Sequence, residues 1–526
     1  MRYIYSIIKA DYLQRTRSYA FLITLAITVY AAYSFVPPPT ASYTTLNVVG
    51  YKGVYNSAWV GHVSAMMTTI MLSLYGFFLV NGGIKKDIDT EVGLIVATTQ
   101  ISNFGYLLSK FFSNFLVLLT IMGCTFAVSI VMFFVRTTGY PFIISDFVVP
   151  YLLFAIPALL LVSALSVVAE AFLGKRSILQ YIVFFMFFGA MLANVTNLKN
   201  DNTAIIADAF GVRTMTSSIR NKVNTQYHEN VAAINLGFTF NSHKKAFRTF
   251  VWNGVNWTGF FLFSRFLWIC IAFALVYFSS FFFHRFDVKQ RFGKKKKALI
   301  KDHMQDVMIT APVGVSMAAL PPVVADYGIY PFIKTELLLL IRQGSKWFWL
   351  ITAGVWVAML FAPFNISYGY LLPVIWFLQV TRWSELVTKE KFNRLHYFTY
   401  SSYKPLQRML PAQMFAGILL ALALALPVIV RSIVTLSFYP VINIINGAIF
   451  VIALAACIGI VSGGKKLFEI IYFLLSYCVV EALPPADYLG AMPKENPLVY
   501  VFTMLLLNTF LILTSFTVRS YQARHL

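Results

Sequence analysis

The chain has 526 residues, 59% of them hydrophobic and only 12% charged. Soluble domains carry about 25% charged and about 45–50% apolar residues, so a soluble enzyme or binding module is excluded. The formal charge of +22 would point to nucleic acid in a soluble protein; here it reads as Lys and Arg gathered on cytoplasmic loops, and no nucleic-acid partner is expected.

In chain order, Arg2, Lys9 and Arg15 fall at helical spacing ahead of the first apolar run. This reads as an interfacial helix leading into a retained span, because the run continues to about residue 35 without a small-residue cleavage site. A hydrocarbon core takes about 20 apolar residues, and within it the backbone must bond to itself, so such runs are helices. Spans are predicted near 18–36, 63–83, 106–135, 148–172, 177–196 and 258–283. A second set is predicted near 347–363, 367–381, 411–431, 441–462, 467–484 and 498–518.

The charges fix the orientation of these roughly twelve spans. If they alternate, Arg17, Lys85, Lys86, Lys175, Arg176, Arg285, Arg382, Lys391, Lys465, Lys466, Arg519 and Arg524 share one side with the first helix. Little beyond Lys52, Arg136, Arg431 and Lys494 remains for the short loops opposite. The basic side is cytoplasmic and holds both termini. Residues 199–257 lie outside by parity and are expected to form a small extracytoplasmic element, since loops of about 60 residues escape the charge rule. Residues 285–328, basic and then broken by prolines at 312, 321 and 322, read as a cytoplasmic linker. Its lysine run at 294–297 is expected to lie against anionic headgroups.

Cys124, Cys270, Cys457 and Cys478 all fall inside apolar runs. Buried thiols behave as small hydrophobes, so neither a disulfide framework nor a metal site is expected.

The two halves begin alike. Ile8, Lys9 and Asp11 ahead of Leu22-Ile23-Thr24 match Ile333, Lys334 and Glu336 ahead of Leu350-Ile351-Thr352. Each set pairs a basic amphipathic helix, ending near Arg15 or Arg342, with the first span of its half. This reads as a duplication, with a first half over 1–284 and a second over 329–526.

After the second span of each half comes a cytoplasmic interruption, "DIDTEVGLIVATTQISNFGYLLSK" at 87–110 and "TKEKFNRLHYFTYSSYKPLQRML" at 388–410. Each has an acid, a short apolar-periodic stretch, a Ser-containing turn and a basic residue where the third span starts. In the turns, Gly and Asn suit positive φ, and Ser or Asn can cap the following helix.

The first interruption resembles ABC transporter permeases of the type 2 exporter class, which carry an acid, a Leu-Leu-Ala-Thr-Pro-like stretch, a Ser/Arg turn and a Lys opening the third span. Here these are Glu91, residues 93–99, Ile101-Ser102 and Lys110, with Thr99 where the family often has Pro. The second copy keeps Glu390 and the turn, but its residues 393–398 are not the family's usual apolar stretch. The resemblance covers the topology of nearly the whole chain, while residue-level similarity is concentrated in 89–110. It implies an all-α polytopic fold of two six-span halves, with an interfacial helix before the first span of each and a coupling helix between the second and third. The coupling residues it implies are Asp89, Thr90, Glu91, Gly93, Leu94, Ala97, Thr98 and Ser102, then Glu390, Asn393 and Arg394. It places Lys9, Asp11, Arg15, Lys334, Glu336 and Arg342 on the interfacial helices. It also implies two separate ABC-type ATPase subunits that bind ATP and Mg, with no cofactor on this chain and solute passing between the halves along spans two and five. The setting implied is a bacterial cytoplasmic (inner) membrane.

Other readings carry less. "GIVSGGKK" at 459–466 nearly spells a phosphate-binding loop, but Lys466 stands where Ser or Thr must hold magnesium, and an apolar span precedes it rather than a strand. It reads as a span ending in Gly-Gly with two basic anchors. The alternative class is a twelve-span secondary transporter of the major facilitator type. Its loop motif fails after Asp87, and Glu170, Arg265, Glu469 and Glu481 sit near span ends, where snorkelling accounts for them. The seven histidines are scattered without H-E-x-x-H, so a membrane enzyme is not expected.

Overall fold

The computed structural model describes residues 2–38, 41, 43–48, 51–174, 176–197, 202–228, 234–240, 248–283, 328–344, 346–393, 395–480, 486–492 and 496–524. Nearly all of the expected linker, Glu481 and Arg394 lie outside the described residues. Helix makes up 80% of the structure, which fits a polytopic membrane protein.

The first half opens with α1 (Arg2–Thr16) and α2 (Tyr19–Ser34), the latter capped by Ser18, whose hydroxyl accepts the N–H of Phe21. Strands β1 (Tyr43–Val48) and β2 (Tyr51–Gly53) follow. Next, α3 (Ser57–Val80) and α4 (Gly83–Asp89) form one 33-residue rod broken at Asn81 and Gly82. At 1.5 Å per residue this is ~50 Å long, well beyond a hydrocarbon core of about 30 Å. α5 (Val92–Thr98) is a separate short helix before the long α6 (Asn103–Arg136). α7 (Ser145–Pro150) runs through a π turn into α8 (Ile156–Leu173). α9 (Ser177–Asn197), α10 (Asn202–Ala207), α11 (Val212–Tyr227), β3 (Ile234–Phe240), β4 (Arg248–Phe250) and α12 (Gly259–Phe282) complete the half.

The second half comprises α13 (Tyr330–Arg342), α14 (Lys346–Phe361), α15 (Phe364–Ile366), α16 (Leu372–Leu378), α17 (Val380–Glu385), α18 (Lys389–Phe392) and α19 (His396–Tyr400). It continues with α20 (Pro405–Val434), α21 (Phe438–Ser462), α22 (Lys466–Val480) and α23 (Pro497–Arg524).

Among the described residues, seven helices are long and apolar enough to cross a membrane, or eight if α13 and α14, bent by 97°, count as one. Apolar helices stand at the other predicted positions too: α2 and Phe364–Leu378 are short, α9 is apolar over Ser177–Leu192, and α22 is described over 15 residues. At 1.5 Å per residue α2 and Phe364–Leu378 reach only ~25 Å, less than the core thickness of about 30 Å, whereas the whole of α9 reaches ~31 Å.

The fold also holds a sheet that the sequence reading did not anticipate. Its order is β3-β1-β2-β4, with β1 antiparallel to both β2 and β3, and β2 parallel to β4. The expected element at 199–257 is thus built jointly with the loop after α2. Asn56 anchors it to the bundle, accepting the N–H of Trp59 to cap α3 and donating to the carbonyl of Trp252 at 2.8 Å. The sheet sits at the opposite end of α3 from the interruptions.

Each half has its own large apolar core, and a third cluster lies beneath α4 and α5, including Ile84, Ile101, Tyr106, Leu160 and Val276. Packing recurs between the halves: α1, α2 and α3 each contact α6, as α13, α14 and α16 each contact α20. Likewise α8 contacts α6, α9 and α12, as α21 contacts α20, α22 and α23. The halves meet where α22 packs against α2 and α3, with the Phe473 ring tilted against that of Phe78 at 3.8 Å between centroids and near Phe185 and Phe377.

Candidate functional site

The first interruption splits at Thr90 and Glu91. Before them, α4 prolongs the span; after them, α5 turns away. Glu91 takes a left-handed φ of 62°, unusual for a residue with a Cβ. The expectation of positive φ at Gly105 and Asn103 is not met, because both lie inside α6. Ser102 does cap α6, its hydroxyl accepting the N–H of Gly105 at 3.1 Å.

The root of α4 is held by Glu170 of α8. One carboxylate oxygen accepts the N–H groups of Gly82 and Gly83 at 2.7 and 3.0 Å, and the other those of Ile84 and Lys85 at 2.7 and 3.1 Å. A helix N-terminus has four N–H groups without internal partners, and a carboxylate also favours its positive end. Gly82 has a φ of 97°, which glycine adopts at no steric cost. Glu170 is therefore buried and structural, not snorkelling. Glu469 and Arg265 are buried as well; Arg265 donates to the carbonyls of Ala209 and Asp208, tying α12 to the loop before α11.

Lys110, buried in α6, joins three elements. Its ammonium lies 2.6 Å from Asp11 of α1 and 2.7 Å from Asp87 of α4, and the Tyr106 hydroxyl also donates to Asp87 at 2.7 Å. Arg15 reinforces the corner, donating to the Val80 carbonyl at 3.1 Å and to Asn114 at 2.6 Å. Of the residues expected on the first interfacial helix, Asp11 and Arg15 thus face the bundle and Lys9 faces out.

On the interruption itself Gly93 is buried, Ala97 half-buried, and Asp89, Thr90, Glu91, Leu94 and Thr98 exposed. Thr90 and Thr98 bond back to the carbonyls of Lys86 and Ile95. Val92, Leu94 and Ile95 form an exposed apolar face, Ile95 at 68% exposure.

The second interruption is arranged differently. Glu390 does not face solvent as Glu91 does: it is 4% exposed and accepts from Gln413 of α20 at 2.6 Å, with the Arg519 guanidinium 3.8 Å away. Burial pushes its carboxyl above the usual range, against the pull of Lys389 and Arg519. Lys389 donates to the buried Glu336 of α13, so the acid aligned with Asp11 again binds a lysine. Asn393, Lys334 and Arg342 are exposed. The turn supplies no Ser cap; Lys404, at φ 44°, precedes Pro405 at the first position of α20. Phe392, Leu395, Tyr397 and Phe398 are exposed, Phe398 at 77%.

Arg382, read from sequence only as part of a basic cluster, clamps the bend between α13 and α14. It donates to the carbonyls of Leu340 and Gln343, and its guanidinium lies 4.0 Å from the Phe348 ring centroid. Burial pulls its pKa down to about 10. Gly344, at φ 116°, leaves room for it: a Cβ there would come within 2.5 Å of the guanidinium.

A polar bridge crosses between the halves at this level. Lys466, at the start of α22, donates to the Asn81 carbonyl at 2.9 Å and to the Tyr181 hydroxyl at 3.2 Å. Tyr181 donates to Glu469 at 2.8 Å, and Ser384 donates to the other Glu469 oxygen at 3.2 Å. Asn81 in turn donates to Gln180 at 2.8 Å. Lys466 is therefore not a lipid anchor. The bridge lies beside a cavity of about 1470 Å³ lined by Asp89 and Thr90 of the first interruption and by Phe392 and Asn393 of the second.

The chain matches no family model, no curated protein and no solved structure.

Proposed function

We propose that this chain is the membrane-spanning permease subunit of an ATP-driven ABC exporter, with two duplicated six-helix halves in a bacterial inner membrane and both termini cytoplasmic. Its ATPase partners, two separate subunits, bind ATP and Mg; the chain itself holds no nucleotide. The matching helix contacts in the two halves support the duplication.

The observation that carries the proposal is the exposed apolar face of α5 on an element whose root is bonded into both halves. A contiguous apolar surface in a cytoplasmic position is what a protein partner covers. Glu170 fixes the root to α8, and Lys466 fixes the same break to α22. A subunit that grips α5 and moves therefore pulls on the bundle at a bonded joint between the halves, rather than bending a loose loop. The exposed aromatics of the second interruption offer a second, unequal docking point across the cavity mouth.

The test is ATP hydrolysis. The full-length chain, purified from its native membrane, should bring an ATPase whose activity falls when Glu91 is replaced by Arg. Purification with no ATPase, and transport unchanged by Glu91→Arg, would remove the proposal.

A further inference from the structure

The cavity between the halves has a chemistry of its own. Seven basic and three acidic side chains line it. Four of the basic ones are already engaged: Arg15, Arg382 and Lys466 with carbonyls, and Lys465 with Glu385 at 2.7 Å. Lys85, Lys86 and Arg176 remain. Lys85 reaches only the Ser177 hydroxyl, at 3.2 Å, and Lys86 feels Asp11 and Asp87 from beyond contact distance; among the described residues none of the three forms an ion pair.

The walls are apolar, with Phe21, Leu79, Val117 and Ile182 among them. Tyr19, Leu179, Trp347 and Ile351 also line the cavity and are exposed on the flank of the bundle. They stand near the starts of α2, α9 and α14, the level at which aromatic residues meet headgroups. The cavity thus joins an exposed apolar flank to a basic floor, and in the orientation proposed above that flank lies at the cytoplasmic leaflet.

We propose that this cavity binds an anionic amphiphile: a phosphate or carboxylate head held by Lys85, Lys86 and Arg176, with its tail along the apolar wall. A soluble anion would leave that wall wet, and a neutral lipid would leave Lys85, Lys86 and Arg176 without an anion in direct contact. As a transport site this rests on the permease reading; as a binding site it does not.

The test is equilibrium binding to the full-length chain in neutral detergent, followed by fluorescence anisotropy. The probes are phosphatidylglycerol and phosphatidylcholine carrying the same acyl fluorophore. Phosphatidylglycerol should bind at least about tenfold more tightly, and the double variant Lys85→Gln/Arg176→Gln should weaken it roughly ten- to thirtyfold, from about 1 kcal/mol per basic residue near a headgroup. The Lys85→Arg/Arg176→Lys variant, which keeps both charges, should retain binding and so separates charge loss from misfolding. Equal affinity for the two lipids overturns the proposal, as does unchanged binding in the double Gln variant or displacement of the probe by millimolar inorganic phosphate. Because no ATPase is needed, binding without any coupled ATPase would sink the permease reading alone. Coupling without selective binding would sink this one alone.

Discussion

Lys466 of the second half donates to the carbonyl of Asn81 of the first at 2.9 Å, at the break between α3 and α4. The same lysine meets Tyr181, which donates to Glu469, so one side chain links the rod to both partners of a buried hydrogen bond. Groups in one network are not additive when removed. Lys466→Met and Tyr181→Phe, alone and combined, should therefore show a coupling of about 0.5–3 kcal/mol in a thermal-unfolding double-mutant cycle. Additive effects would show that the bridge does not act as a unit.

Glu170 accepts four successive N–H groups. Glu170→Gln keeps the shape but turns an amide NH₂ toward donors, so it should cost roughly 1.5–3 kcal/mol, the range for hydrogen bonds to a charged group. Hydrogen exchange should rise over residues 82–98 and little elsewhere. Unchanged protection there would mean that Glu170 does not hold the element.

Lys110→Met removes the ammonium that touches both Asp11 and Asp87, leaving them only the more distant Lys86. Breaking a buried pair from one side costs about 3–5 kcal/mol. Adding Asp11→Asn and Asp87→Asn should recover most of that loss, read as melting temperature. A triple variant no better than Lys110→Met would show that packing, not charge, is lost.

Glu390 supplies a pH test. Burial raises its carboxyl above the unfolded value, while Lys389 and Arg519 lower it and Glu336 adds to the rise. The stability it contributes is then full below the unfolded pKa, about 4.3, and is lost as pH rises through the folded value. Glu390→Gln removes this titration. The variant should match the parent in acid and melt at a higher temperature near neutrality; a parallel pH profile in the two proteins would contradict this.

The helical membrane bundle and the two interruptions are legible in sequence because hydropathy and charge mark them directly. The capping role of Ser102 is legible too, since a cap is a local property. Contacts made at a distance in sequence are not. Glu170 and Lys466 look like span-end charges until the fold brings Gly82 and Asn81 beside them. Glu390 resembles Glu91 in its local pattern, yet Gln413 and Arg519 draw it inward. The sheet escapes because β2 and β4 are three residues each, too short for alternation to register, and their pairing spans nearly two hundred positions. The short α2 reads as a full span because its apolar run extends past the helical residues.

The central claim is that α5 is gripped by an ATP-hydrolysing partner. A photo-crosslinking residue in place of Ile95, in the full-length chain in its native membrane, tests this most directly. The account predicts a crosslinked partner with a nucleotide-binding phosphate loop, in a yield that changes between ATP-bound and nucleotide-free conditions and falls with Glu91→Arg. Crosslinks to lipid alone, together with transport that follows an ion gradient without ATP, would contradict it.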